Sequence, residues 1–174
     1  MTYQLDTERY RGLGGWLILV AIGLFVNPIK IGFFIFTTLL PAFSEENWAP
    51  LTTPGSESYH PLWAPLLVSE LSFNAIIILA DLGLLVLFFT RSRKFPKAMI
   101  AFYLANLAFV AADFFLAQLI PQVAAKADAE SATELGRMVI GTAIWVPYFF
   151  VSKRVKATFI EPQEPPAPPP FAPA

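Results

Sequence analysis

Glu70, Asn74 and Asp81 stand in an otherwise apolar stretch, "ELSFNAIIILADLGLLVLFF". At roughly 100° per residue the three fall within about 40° of one another on a helix, so two carboxylates and an amide share one narrow face. Asn106 and Asp113 repeat the arrangement in a later apolar stretch, and Lys30 and Arg137 place a cation in each of two more. Carboxylates in such surroundings can carry protons, hold a cation or polar ligand, or do acid–base work if one is kept protonated. The plainer expectation is a buried network in which Lys30 and Arg137 balance Glu70 and Asp113, with Asn74 between them, fixing how the helices pack. Asp81 stands apart, because no basic residue lies at its level; Asn106 is the polar side chain expected at its depth. Both readings stay open.

Other chemistry is excluded or unsupported. The 174 residues include no cysteine, which removes disulfides, thiolate nucleophiles and Cys-ligated metals. The single histidine, His60, lies in the proline- and aromatic-rich "ESYHPLW" and reads as an ordinary loop residue. No nucleotide-binding loop or nucleophile motif is present, and no cofactor or metal is expected. A net charge of −1 gives no basic field for nucleic acid.

The elements that must position these residues are apolar helices. The chain is 56% hydrophobic and only 14% charged, against about 25% charged in an ordinary soluble domain. The apolar residues gather into four segments, about 13–41, 66–90, 97–121 and 133–151. Each exceeds or approaches the roughly 20 residues that cross a bilayer core. An aspartate in a span costs about 3 kcal/mol, whereas the Leu, Ile, Val and Phe between Leu71 and Phe89 return on the order of 6 kcal/mol, so the second segment still inserts. The first segment is over-long and interrupted by "NPIK", which predicts a kinked or broken helix. A cleaved signal peptide is the rival reading, but no convincing small-residue cleavage site follows. Ala101, Ala105, Ala108 and Ala112 form a stripe on the third segment suited to close helix contact.

Basic residues set the direction. Arg9 and Arg11 precede the first segment; Arg91, Arg93, Lys94 and Lys97 fill the second connection; Lys153, Arg154 and Lys156 follow the fourth segment. The first connection, 42–65, has none. The positive-inside rule then places both termini in the cytoplasm. The outer loop carries Trp48, Tyr59 and Trp63 among prolines and suits the membrane surface. Pro147 predicts a kink near the end of the fourth segment, and the three cations after it fall short of a lipid-recognition cluster. The last stretch, "EPQEPPAPPPFAPA", is expected to be a disordered proline-rich tail over 161–174. The fold class expected is all-α: an integral membrane four-helix bundle over 1–160, N-in and C-in.

"GLGGWLIL" (12–19), "YHPLWAPLLVSELSFN" (59–74), "FFTRSRKFPK" (88–97) and "IWVPYFFVSKRVKATF" (144–159) resemble the bacterial membrane family catalogued as domain of unknown function 2569. The resemblance implies a multi-pass inner-membrane protein with no assigned activity. It also implies that Glu70, Asn74, Trp145, Pro147, Tyr148, Ser152, Arg154 and Phe159 match positions of the family's motifs. The leading functional expectation is a non-enzymatic accessory or interaction protein, whose partners are the lipid bilayer and either another membrane protein or further copies of itself. The alternative is a small oligomeric proton- or cation-coupled transporter or channel using the intramembrane acids. An intramembrane enzyme is the weakest reading, since nothing identifies a substrate.

Overall fold

The computed structural model describes residues 10–125 and 129–160, and no strand occurs among them. The tail expected at 161–174 lies outside the described residues.

Helix α1 (Trp16–Phe34) starts after the glycine-rich "GLGG", where Gly12 (φ 119°) and Gly15 (φ 59°) hold backbone that L side chains resist. The break expected at "NPIK" does not occur there: α1 runs through Pro28 as helix. The irregularity comes about two turns later, as a π-helical stretch at Ile35–Leu39 that leads into α2 (Leu40–Ala42). The Thr37 hydroxyl donates to the Phe33 carbonyl at 2.8 Å. That bond competes with the regular backbone ladder and favours a widened turn.

The first connection contains a short helix, α3 (Glu45–Thr52), with Phe43 stacked on Trp48 at 5.0 Å. Within it the His60 ring accepts from the Leu62 N–H, a turn contact. The second long helix, α4 (Trp63–Phe89), is followed after a tight turn by α5 (Phe95–Ala117). A short α6 (Pro121–Ala125) precedes the last long helix, α7 (Ala129–Val151). The chain then turns at Ser152, whose extended backbone and hydroxyl cap a final helical segment, α8 (Lys153–Val155), continued as a π-helical stretch at Lys156–Ile160. The segments on either side of Ser152 are bent by 56°. Pro147 itself lies inside α7, so the sharp change of direction comes at the serine rather than at the proline.

Three helical stretches are long and apolar enough to cross a membrane, Trp16–Ala42, Trp63–Phe89 and Phe95–Ala117; the bent pair makes four if counted as one span. These lie within a few residues of the segments read from the sequence, apart from an earlier end to the third. Neighbours in sequence are neighbours in space: α1 packs on α4, α4 on α5 and α5 on α7. Trp16 and Trp145, edge to face at 6.1 Å, bring α1 and α7 together.

The core is concentrated at one end, that of the α4–α5 turn and the segment after Ser152. Leu17, Val20, Leu24, Leu84, Phe88, Phe95, Met99, Phe149, Val155 and Phe159 form one buried cluster there. The other half is held more loosely. Phe73 on α4 stacks on Phe109 of α5 at 3.7 Å, but Ile29, Phe33 and Phe36 are about 70% exposed. Apolar side chains facing outward along a helix suit hydrocarbon as well as they suit a protein core. The alanine stripe of α5, expected as a packing face, is exposed at all four positions because α4 and α7 take other faces of that helix.

Candidate functional site

Asp81 is the most enclosed polar residue among the acids described, 1% exposed on α4. Its partner comes from α1: Asn27 Nδ2 donates to Asp81 Oδ2 at 2.7 Å. Pro28, the next residue, cannot donate to the carbonyl one turn back, so α1 is polar and under-bonded at the point where it meets the acid. Tyr103 on α5 lies within reach of the Asp81 charge. Asn27 and Asp81 therefore make a polar contact between two long apolar helices, α1 and α4. Asn106, expected at this depth, is half-buried on α5 and is not the hydrogen-bond partner. Nothing pointed to Asn27 except arithmetic: it lies about eleven residues after Trp16 and Asp81 about nine before Thr90, which is nearly equal height at about 1.5 Å per residue.

The second polar group lies farther from the core end. Glu70 on α4 is within Coulombic reach of Asp113 on α5 and of Glu134 on α7, and Asp113 feels Glu134 in turn. Glu70 and Asp113 are half-buried and Glu134 is exposed. Asn74 turns its amide inward along its own helix, donating to the Glu70 carbonyl at 2.9 Å. Glu134, which sequence reasoning did not single out, thus joins Glu70 and Asp113 in mutual Coulombic reach, while Asn74 bonds within its own helix. The two cations expected with them stand elsewhere. Lys30 and Arg137 are exposed, and among the described residues no ion pair joins either to these acids. In the register that pairs Asn27 with Asp81, Lys30 lies about one turn from Asp81 and well short of the level of Glu70, so it does not meet this group. No group of three or more acid or histidine side chains among the described residues is arranged to hold a metal ion. A pocket of about 390 Å³ is lined by Thr38, Pro41, Glu46 and Asn47 beside the first connection, and none of the intramembrane acids borders it.

A third arrangement uses the remaining motif positions. Arg154, just after the bend, lies across the glycine stretch before α1: a Cβ at Gly14 would come within 3.3 Å of its Nη1, and one at Gly15 within 3.3 Å of its Nε. The guanidinium also sits over the Tyr10 ring, 5.9 Å from its centre. Four residues on, the buried Thr158 hydroxyl donates to the Gly12 carbonyl at 3.2 Å and faces the Gly12 N–H at 3.1 Å. Phe159, 1% exposed, packs on Phe95 at 4.7 Å and Phe88 at 5.9 Å. Trp145 and Tyr148 meet edge to face at 5.6 Å beside this cluster. Two stretches that lie about 140 residues apart, "GLGGW" and "SKRVKATF", are therefore the two halves of one clasp. The positive φ of Gly15 favours glycine there, and at both positions a Cβ would sit tighter against the guanidinium than ordinary contact.

A helical chain with three or four spans' worth of apolar helix, polar side chains set between those helices, and a clasp joining Gly12–Gly15 to Arg154 and Thr158 fits a membrane protein. It belongs to the family described as proteins of unknown function (DUF2569), whose family model matches residues 10–160. No curated protein matches the chain, and no solved structure does.

Proposed function

We propose that the chain is a multi-pass bacterial inner-membrane protein, with four spans and both termini in the cytoplasm. It works as a non-enzymatic interaction or accessory protein whose loose half is completed by another membrane protein or a further copy. The observation that carries this reading is Lys30: exposed midway along a 27-residue apolar stretch, with no ion pair among the described residues. An unpaired lysine at such a depth costs about 3 kcal/mol, which an acidic partner helix would offset. The exposed alanine stripe of α5 supports the same reading, since small residues let a second helix approach closely. A photo-crosslinking residue at Ile29 or Phe33, activated in intact membranes, tests it. A discrete adduct that Lys30→Met weakens is expected; crosslinks to lipid alone, from a solitary monodisperse protein, would sink the idea.

Asp81 favours a second reading, a proton- or cation-coupled transporter or channel. An acid 1% exposed and held by one amide is a costly feature unless it serves a ligand. Reconstituted vesicles should then show proton or cation flux that Asp81→Asn removes; flux indifferent to both Asp81→Asn and Asp113→Asn would discard these acids as its site.

A further inference from the structure

We infer that the core end of the molecule is a binding surface for anionic phospholipid headgroups, built from two basic segments that the fold brings together. Arg91, Arg93, Lys94 and Lys97 line the turn from α4 to α5 and the start of α5, and every one is exposed. Lys153 and Lys156 are exposed on the segment after the bend. In sequence these sets are about 60 residues apart, and neither three-residue run after α7 nor the turn alone makes more than a modest patch. In the fold, Phe159 packs on both Phe88 and Phe95, the residues that flank the turn, which seats the final segment against it.

The final segment is two-faced. Val155, Ala157, Thr158 and Phe159 are buried, while Lys153, Lys156 and Ile160 point out. A short helical piece whose apolar side is fixed in the protein and whose outer side carries cations and an isoleucine suits the level of the headgroups. Six exposed cations now share one end of the molecule, within the four to eight that mark recognition of anionic lipid. None of the acids described lies in the stretches that build this end, 10–17, 88–99 and 149–160. Arg154 is not part of the surface, because the glycine clasp engages it.

The inference rests on the membrane-spanning reading, and carbonate-resistant retention in membranes, measured on the same variants, reports on that reading separately. The test uses the full chain in a neutral detergent, with thermal unfolding and native mass spectrometry on addition of phosphatidylglycerol, phosphatidylcholine or inorganic phosphate. Phosphatidylglycerol is expected to stay bound and to raise the unfolding temperature, and phosphatidylcholine not to. Arg93→Gln with Lys94→Gln, and separately Lys153→Gln with Lys156→Gln, should each weaken phosphatidylglycerol binding by roughly fivefold per charge removed. Both pairs should unfold normally without lipid, since all four side chains are exposed. Equal response to phosphatidylcholine, or variants that bind phosphatidylglycerol as tightly as the parent, overturns the proposal. Equal response to inorganic phosphate also overturns it, by showing a site for free anion rather than lipid.

Discussion

Arg154 and Gly15 are the side chain and the gap that fit each other, and substitutions at either should be felt. Gly15→Ala places a methyl group 3.3 Å from the guanidinium Nε at a backbone φ of 59°, and strain of this kind costs about 1–3 kcal/mol. Arg154→Lys keeps the charge but loses the planar fork that lies over the glycines and Tyr10, so it should lower the unfolding temperature where a simple electrostatic anchor would not. Thr158→Val leaves the Gly12 N–H and carbonyl without the hydroxyl they share, a loss of about 1–3 kcal/mol. Asn27→Leu removes the amide from Asp81 and should cost a similar amount, relieved when Asp81→Leu is added, because two apolar residues restore what one unpaired acid loses. Chemical unfolding in mild detergent reads all four. The acids were visible in the sequence because a charge in an apolar run is conspicuous. Their partners were not: Asn27 stood only as part of the interrupting "NPIK", and Gly12, Gly14 and Gly15 only as part of a family-like stretch, since an amide or a glycine gains its meaning only from a residue on another helix.

The segment after Ser152 is the element on which the core end depends. Its buried Phe159 touches both sides of the α4–α5 turn, and truncating a ring in such a place costs about 3–5 kcal/mol. Phe159→Ala should therefore destabilise the protein by that order and make the chain after Val151 the first site of limited proteolysis. Ser152→Ala, which removes the hydroxyl facing the Val155 N–H, should cost about 1 kcal/mol and act in the same direction. The long helices were legible because apolar runs of their length have few other fates. The irregular pieces were harder to place. Pro28 and Pro147 draw the eye, yet the widened turn falls at Ile35–Leu39 and the 56° bend at Ser152. Thr37 and Ser152 redirect the backbone with their own hydroxyls, a signal less conspicuous in sequence than a proline.

At the scale of the whole molecule, packing is graded from a dense end to an open one. Sequence patterning predicted neither, because a lipid-facing side chain and a core side chain are equally apolar. No ion pair forms around Lys30 among the described residues: counting from the loops put it level with the outer acids, whereas the Asn27–Asp81 bond sets it nearer to Asp81. Sidedness is directly testable in a chain without cysteine. Single cysteines at Arg93 and Lys156 should react with an impermeant thiol reagent only in inside-out vesicles, and one at Gly55 only in intact cells with a permeabilised outer membrane. Labelling of both sets from one face would reject the four-span topology.

The clasp between Gly12–Gly15 and Arg154–Phe159 also orders events during synthesis. The glycine stretch emerges from the ribosome first and its counterpart among the last of the residues described, so all four long helices are synthesised before the two can meet. Until then Leu17, Phe88 and Phe95 lack their cover. A chain interrupted between Val151 and Arg154 would keep its long helices yet lack this seal, leaving the core end open to proteolysis that the finished protein resists.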